Sequence, residues 1–434
     1  MLPTRRITTG GGDVFRDEFS LAFDGTDDFI QLSGSHLAVA NNFTIVAWVK
    51  RGETGSGHCI YSANDDTSDG ARLFFENNDD LILRLNGGSV SSDTSIISEF
   101  KAGVWYHVAG VYDDDNNVGA VYANGVDVTA SATASQTRDI GVTTTPRIGN
   151  RADTNSILFN GNISEVAIYD KALSASEVKT LYNGREPYNH KEGVCSSNLQ
   201  GWWRMGDGLL DGNRTFSHTQ TNDDSTQDNI ISDESNSGLG AELYTFANAL
   251  STSAHESTNI TSDGATDYTN GFRVFTGTTV ELESSITNGS SHALKYTTDG
   301  SSEGFRIDLS EHVDDSGNGL DVGSVYQISV DARHIGTGES QATQSIRLSE
   351  TSSLSTTGVT SVIANIGKSS LNYQTYKLYF IYDDTTTRYF GARETNSNND
   401  SGGLYIDNLS IKKVNGNAGI MNNFSFEAIE GDTP

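Results

Sequence analysis

Two cysteines, four prolines and four tryptophans are all that 434 residues hold of those types, and 28 Lys and Arg face 57 Asp and Glu. Each scarcity excludes something. Cys59 and Cys195 lie far apart and show neither zinc-ligand spacing nor a redox pair, so zinc ribbons and thiol exchange are ruled out. Two free buried thiols are the expectation, with a single disulfide the alternative. A formal charge of −29 repels phosphate backbones and anionic lipid, which argues against nucleic-acid binding and membrane docking. No apolar run is long enough to cross a bilayer, so no membrane insertion is expected. The opening "MLPTRRITTGGGDVFRDE" has two arginines but no apolar segment behind them, and so reads as neither secretory signal nor span. On that reading the protein leaves a cell by lysis, by a signal-independent route or as part of a particle.

Catalytic signatures are also missing. The nine histidines are scattered without a zinc motif, and no Gly-x-Ser-x-Gly elbow or phosphate-binding loop occurs. "VYDDDNN" (111–117) is acidic but falls at a turn. "VELES" places Glu281 and Glu283 on one strand face, yet without the third acid of the jelly-roll glucanase signature. Two surface carboxylates are expected there, and no catalytic residue is assigned.

What is abundant is Gly, at 45, together with Ser, Thr, Asn and Asp, between short runs rich in Val, Ile, Tyr and Phe. That texture predicts an all-β chain with many short strands and many loops; the family resemblances of its two strand-rich stretches imply two tandem jelly-roll β-sandwiches joined by a loop-rich connector. In "FTIVAWV", Phe43, Ile45, Ala47 and Val49 share one face, with Thr44, Val46 and Trp48 on the other; both are largely apolar, as in a sandwich strand. "YANGVDV" carries the Asn-Gly hairpin signal. One short helix is expected in "LSASEVKTLYNG" (173–184), with Ser174 and Glu177 as a capping box and Gly184 as the left-handed stop. The predicted divisions are an anchoring arm (1–18), a first jelly roll (19–185), a connector (186–240), a second jelly roll (241–414) and a tail (415–434).

"FSLAFDGTDDFIQL", "FTIVAWVKRG", "WYHVAGVYD" and "PRIGNRADTNSILFNGNISEVAIYDKALSASEVKTLYNG" follow one another in an order that resembles the laminin-G-like, concanavalin-A-like jelly roll of bacterial and viral proteins, over about 18–185. The family's closing strand reads Gly-x-Ile-Asp-(Asp/Glu)-Val; here "GNISEV" has Ser164 where Asp is common. By that resemblance Asp24 and Glu165 are candidate calcium ligands, against an Asx turn for Asp24. "SSHALKYT", "VYQISVDAR", "YKLYFIY" and "GGLYIDNLSIKKV" resemble a family-four/nine carbohydrate-binding module, which implies a structural calcium at Asp407. "NLQGWWRMGDG" and the acidic "MNNFSFEAIEGDTP" end resemble laminin-G-like proteins of marine bacteriophages.

"DDTSDG" (65–70) and "DDSGNG" (314–319) are partial calcium loops that lack a closing Glu. Trp48, Trp105 and His107 are expected in the core; Tyr373, Tyr376, Tyr379 and Tyr382 alternate imperfectly and could serve a sugar, but no aromatic platform is evident, and a structural role or weak sugar binding is expected of the second module. Neighbouring strand residues point to opposite faces, so Trp202 and Trp203 cannot form one flat platform. The expectation is an inter-domain docking strand, one indole on the first jelly roll and the other against the second module or the tail, with Arg204 paired to Asp207 or another acid.

The resemblances imply a non-enzymatic virion-surface protein: head fibre, decoration or tail adhesin. It would hold other virion proteins through its arm, form a homo-oligomer and meet host glycans. The alternatives are a bacterial surface or secreted glycan-binding protein and, less favoured, a polysaccharide hydrolase.

Overall fold

The computed structural model describes residues 15, 17–33, 42–63, 71–85, 88–92, 100–132, 146–152, 156–208, 230–231, 233–236, 239–244, 260–261, 272–275, 278–290, 293–298, 303–310, 319–336, 343–350, 352–354, 359–367, 369–394, 402–422, 424 and 428–434. Most of the N-terminal arm, both partial calcium loops apart from Gly319, and residues 209–229 of the connector lie outside these. The chain is all-β and divides into two units: Met1–Asp211 with Ile231–Asn236 and Met421–Pro434, and Gly212–Ile230 with Ser237–Ile420. Among the described residues no helix is long and apolar enough to cross a membrane. No disulfide joins the cysteines; Cys59 is buried and Cys195 half-buried.

The first unit is built from β1 (Ser20–Asp24), β2 (Phe29–Leu32), β3 (Phe43–Arg51), β4 (His58–Ser62), β5 (Ala71–Phe75), β6 (Leu81–Leu85), β7 (Gly88–Ser92), β8 (Trp105–Asp113), β9 (Val118–Ala123), β10 (Val126–Asp127), β11 (Thr129–Ala132), β12 (Arg147–Ile148), β13 (Asn160–Tyr169) and β14 (Leu199–Trp203). One sheet runs β10-β9-β8-β3-β13-β1, and the other runs β11-β7-β6-β5-β4-β12-β2. Between them lies a core holding Phe43, Ile45, Ala47 and Val49 of β3 opposite Leu73 and Phe75 of β5 and Leu81, Leu83 and Leu85 of β6. Val46, on the other face of β3, joins a second cluster with Tyr169, Val178 and Leu181, which helix α1 (Ala175–Tyr182) covers. That explains why β3 is apolar on both faces.

Local signals act where expected. Asn124 and Gly125 take φ of 50° and 74°, the left-handed pair that turns β9 into β10. The capping box of Ser174 and Glu177 is complete, while the left-handed stop begins one residue early, at Asn183 (φ 51°). Three short strands extend the sheets: β15 (Ile230–Ile231) and β28 (Gly419–Asn422) beyond β2, and β29 (Ile429–Glu430) on β1.

The second unit runs from β16 to β27: β16 (Leu239–Tyr244), β17 (Ile260–Thr261), β18 (Phe272–Val274), β19 (Thr279–Glu283), β20 (Ala293–Thr298), β21 (Gly304–Asp308), β22 (Val325–His334), β23 (Gln344–Ser349), β24 (Val359–Ile366), β25 (Gln374–Ile381), β26 (Tyr389–Glu394) and β27 (Gly402–Val414). A sheet ordered β17-β19-β20-β27-β22-β25, with β16 also on β27, accompanies a second ordered β18-β21-β26-β23-β24. They share one core that includes Tyr296, Phe305, Ile328, Leu348, Phe390 and Ile406.

Candidate functional site

One edge of β13 serves two neighbours in turn. Its first half pairs with β1 (Leu21 opposite Ile163) and its second with β14 (Val166 opposite Trp203, Ala167 opposite Trp202). Where the neighbour changes, β13 bulges, and Glu165 takes a left-handed φ of 51°. The residues that lead into β1 and out of β14 meet at this joint. Trp202 Nε1 donates to Glu165 Oε2, and Arg204 Nε donates to Oε1 at 3.1 Å. Ser164 Oγ donates to Asp17 Oδ1 at 3.2 Å. Asp207 Oδ2 accepts the backbone N–H of Glu18 and of Phe19, each at 2.8 Å. The Arg204 guanidinium lies 4.5 Å from the centre of the Phe15 ring.

Asp17 Oδ2 is buried without a protein donor beside the Glu165 carboxylate, an arrangement that favours a proton held on Asp17 and aimed at Glu165. Burial is the largest cause holding both above the ordinary carboxylate range; for Glu165 the Arg204 charge opposes it. Glu165 therefore bears the charge that Arg204 answers, and Asp17 keeps the proton. Two close carboxyls invite comparison with a glycosidase, but Glu165 is 1% exposed. Retaining enzymes hold their acids about 5 Å apart across an open cleft. Glu165 is sealed and Asp17 half-buried, and the pair suits a locked joint rather than a reaction.

The tryptophan pair belongs to the same joint. Trp203 is fully buried in the main core of the first unit, beside Met205 and Ala428 of the tail. Trp202 faces the other way, into the cluster under α1, where His190 meets it edge-on at 5.2 Å. The two indoles do occupy opposite faces, yet both are buried by residues of the first unit. Trp203 thus meets the tail, one of the two surfaces expected for the second indole, and Trp202 packs within the first unit. Arg204 pairs with Glu165, as the expectation of Asp207 or another acid allowed, and also donates to the backbone carbonyl of Asp207 at 3.3 Å.

The calcium candidates separate on their donors. Glu165 already has a guanidinium and an indole N–H on its oxygens, so the residues present do not fit a cation there. Asp407 lies across from Asp331 in the β22–β27 register. Its oxygens accept from the backbone N–H of Asn288 and Asn408, while Asp331 accepts from both asparagine side chains and from Thr375 Oγ1. These N–H and O–H donors supply the stabilisation a cation would bring, and Asp407 does not fit one as arranged. Asp24 makes the Asx turn, its Oδ1 accepting from Thr26 N at 2.6 Å and Asp27 N at 3.3 Å. Among the described residues, Asp24, Asp27 and Asp28 have carboxylate oxygens within 4.8 Å of one another. Burial is the main cause pushing Asp28 up to about 6.

Other sequence candidates resolve simply. Glu281 pairs with Lys295 and Glu283 with Ser285, so they are not joined in one site. Trp48 and His107 are buried edge-on to each other, and burial lowers His107 to about 3. Trp105 departs from its core expectation: it is half-buried and donates from Nε1 to Asp432 at 3.1 Å.

The feature that sequence reasoning missed is a cleft of about 520 Å³ in the first unit. Its floor is the outer face of β5 and β6; Gly25, Glu53, Arg151 and Asn160 stand at its walls. In β5, Arg72 and Phe74 alternate outward while Ala71, Leu73 and Phe75 enter the core. In β6, Ile82 and Arg84 do the same. The register sets Arg72 opposite Arg84 and Phe74 opposite Ile82. Both guanidiniums lie near the Phe74 ring, at 4.6 and 5.6 Å from its centre. The sequence signal was the alternation of "ARLFF" and "LILRL"; the cross-strand pairing was not in it.

Residues 24–179 match a laminin-G family model described as the concanavalin A-like lectin/glucanases superfamily. No curated protein matches the sequence. Among solved structures, a candidate carbohydrate-binding protein of Bacteroides ovatus is 17% identical with a TM-score of 0.37, the match covering 50% of this chain and 56% of that one. A heptameric SAP-like pentraxin from Limulus polyphemus is 20% identical (TM-score 0.30; 39% of this chain, 85% of that one). Domain 4 of an extracellular arabinanase from Geobacillus stearothermophilus, in complex with arabinotriose, is 21% identical (TM-score 0.31; 38% and 76%).

Proposed function

We propose that this protein binds glycans without cleaving them and displays its β-sandwich modules on the surface of a virion. The observation that carries the glycan reading is the β5–β6 cleft. Its volume of about 520 Å³ falls within the roughly 300–1,000 Å³ of small-molecule sites. Guanidinium donors and the Asn77 and Asn160 amides surround a mixed polar and apolar floor, the chemistry that reads hydroxyl groups on a ring. The non-catalytic reading is supported by the burial of Glu165, whose carboxylate is taken up by Trp202 and Arg204 inside the fold rather than lining an open cleft. The particle setting is supported by the resemblance of the "GWWRMGDG" segment and the acidic tail to phage-encoded chains. In the structure those two segments are built into the first unit as parts of one fold.

Glycan arrays and a depolymerisation screen on the intact chain test the first part. Retention of at least one polysaccharide with no reducing sugar released is expected; robust sugar release would make the protein a hydrolase. Mass spectrometry of purified particles tests the setting. Finding the chain in the secreted or cell-surface fraction of a bacterium, and in no particle, would favour a bacterial glycan-binding protein instead.

A further inference from the structure

We infer that the joint at Glu165 is a proton-operated latch on the chain segment ahead of β1. With a proton on Asp17 the segment is held down; without it the segment lifts away while the sandwich stays folded. The latch is independent of the glycan reading and of the particle setting.

The way the segment is anchored makes a local release feasible. The ladder between β1 and β13 starts at Leu21, opposite Ile163, and β29 pairs with the other edge of β1. Ahead of Ser20 the segment is gripped by side chains instead. Asp207 Oδ2 takes the N–H of Glu18 and of Phe19. Ser164 Oγ lies 3.2 Å from Asp17 Oδ1 and 3.4 Å from the Phe19 carbonyl. The Phe15 ring sits 5.9 Å from that of Trp202 and 4.5 Å from the Arg204 guanidinium. Losing these contacts leaves β1 paired on both edges, and elements tied down in this way open at lower free energy than a sheet.

The proton decides whether that grip holds. Asp17 Oδ2 is shut from water with no donor on it, beside the Glu165 carboxylate. Protonated, it donates into that carboxylate; ionised, it is a buried charge facing another of the same sign, which the fold tolerates poorly. The groups around it come from several segments. Glu165 stands on β13, Arg204 and Asp207 follow β14, and Glu18 is exposed on the segment itself. Beyond Trp202 lie Asp233, which accepts the Trp202 backbone N–H, and His190, which burial keeps neutral and which bonds to Tyr169. Among these described groups Arg204 is the one cation, and its Nε is committed to Glu165. Burial, then the Glu165 and Asp207 charges, hold the Asp17 carboxyl well above its ordinary range, with Arg204 opposing. Lifted into water, Asp17 returns to that ordinary range, so the open state carries one proton fewer. Opening therefore grows about tenfold per pH unit as pH rises through neutrality, until the held form itself ionises.

The test is hydrogen exchange of the full chain between pH 7 and 9, read by mass spectrometry of its peptides and corrected for the intrinsic pH dependence of exchange. The Glu18 and Phe19 amides, both on Asp207 Oδ2, report the latch, and the amides of β3 report the sandwich. Protection at Glu18 and Phe19 should lie at least about tenfold below that of β3 and fall about tenfold per pH unit. Dilute urea should accelerate β3 and leave these two amides almost unchanged, because lifting a few residues exposes little surface. Asp17→Asn keeps a donor to Glu165 but has no proton to lose, so its protection at the two amides should be flat in pH. Glu165→Gln sets an amide donor against Asp17 in place of an anion and should remove the pH step from the other side, which keeps the test open if Asp17→Asn weakens the joint by itself. Equal protection and equal urea response of the two sets of amides would show that the segment lifts only when the whole unit unfolds. A wild-type protection flat in pH, or a step that persists in both variants, would show that the proton is not on this pair. Each of these results overturns the latch.

Discussion

The buried joint between Asp17 and Glu165 gives the stability of the first unit a definite pH dependence. The folded pair holds one proton that the unfolded chain does not: unfolded Asp and Glu titrate near 3.8 and 4.5, and burial raises both groups in the fold. A carboxyl with a raised pKa favours folding least where the unfolded state is already ionised, so stability falls as pH climbs through that interval. Other groups must be kept out of the window. His58, His107 and His190 are lowered by burial from 6.5, so they add stability as pH rises to about that value and nothing beyond it. Asp28, raised to about 6, has largely titrated by then. Among the described residues of the first unit the pair stands nearly alone above pH 6.5, with Glu165, raised to about 7, completing its ionisation early in that window. One proton's difference corresponds to a slope of about 1.4 kcal/mol per pH unit, or roughly 2 kcal/mol lost between pH 6.5 and 8.

The assay is urea denaturation followed by tryptophan fluorescence, since Trp48, Trp105, Trp202 and Trp203 all belong to the first unit and the second has none. Asp17→Asn supplies the comparison. Its carboxamide can still donate to Glu165 but has no proton to lose, so its stability should be nearly flat over the same interval. Parallel curves for the two proteins, or a flat curve for the wild type, would refute the shared proton.

Two further outcomes follow from the same unit and its neighbour. Trp203→Ala should destabilise the first unit by about 3–5 kcal/mol, the usual cost of deleting a fully buried indole, without changing glycan affinity measured on the folded fraction; a loss below 1 kcal/mol would show that β14 is not part of that core. Chelation should leave the melting of both units unchanged in so far as Glu165 and Asp407 are concerned, because N–H and O–H donors already occupy their carboxylates. A calcium-dependent rise in melting temperature abolished by Asp407→Asn would show that those donors give way to the ion.

How much of this was legible in the sequence depends on the range of the signal. The Asn124-Gly125 turn and the Ser174–Glu177 cap are local, encoded in a handful of consecutive residues, and they form as read. The joint at Glu165 is not local: Asp17, Glu165 and Arg204 come from three distant segments, and only the change of neighbour along β13 brings them together. Sequence could place the two tryptophans on opposite faces but not say which surfaces those faces would find. The cleft shows where the boundary falls. Leu81, Leu83 and Leu85 alternate with Ile82 and Arg84, and a one-residue slip would drive Arg84 into the core, so the outward face of β6 is fixed by its own composition. Whether Arg84 then meets Arg72 or the residue two places along is set by the register with β5, which the intervening turn and the packing of the whole sheet decide. A slip of two residues would keep every leucine buried and still part the two guanidiniums. The charge opposition that marks this site is thus a property of pairing, invisible in either strand alone.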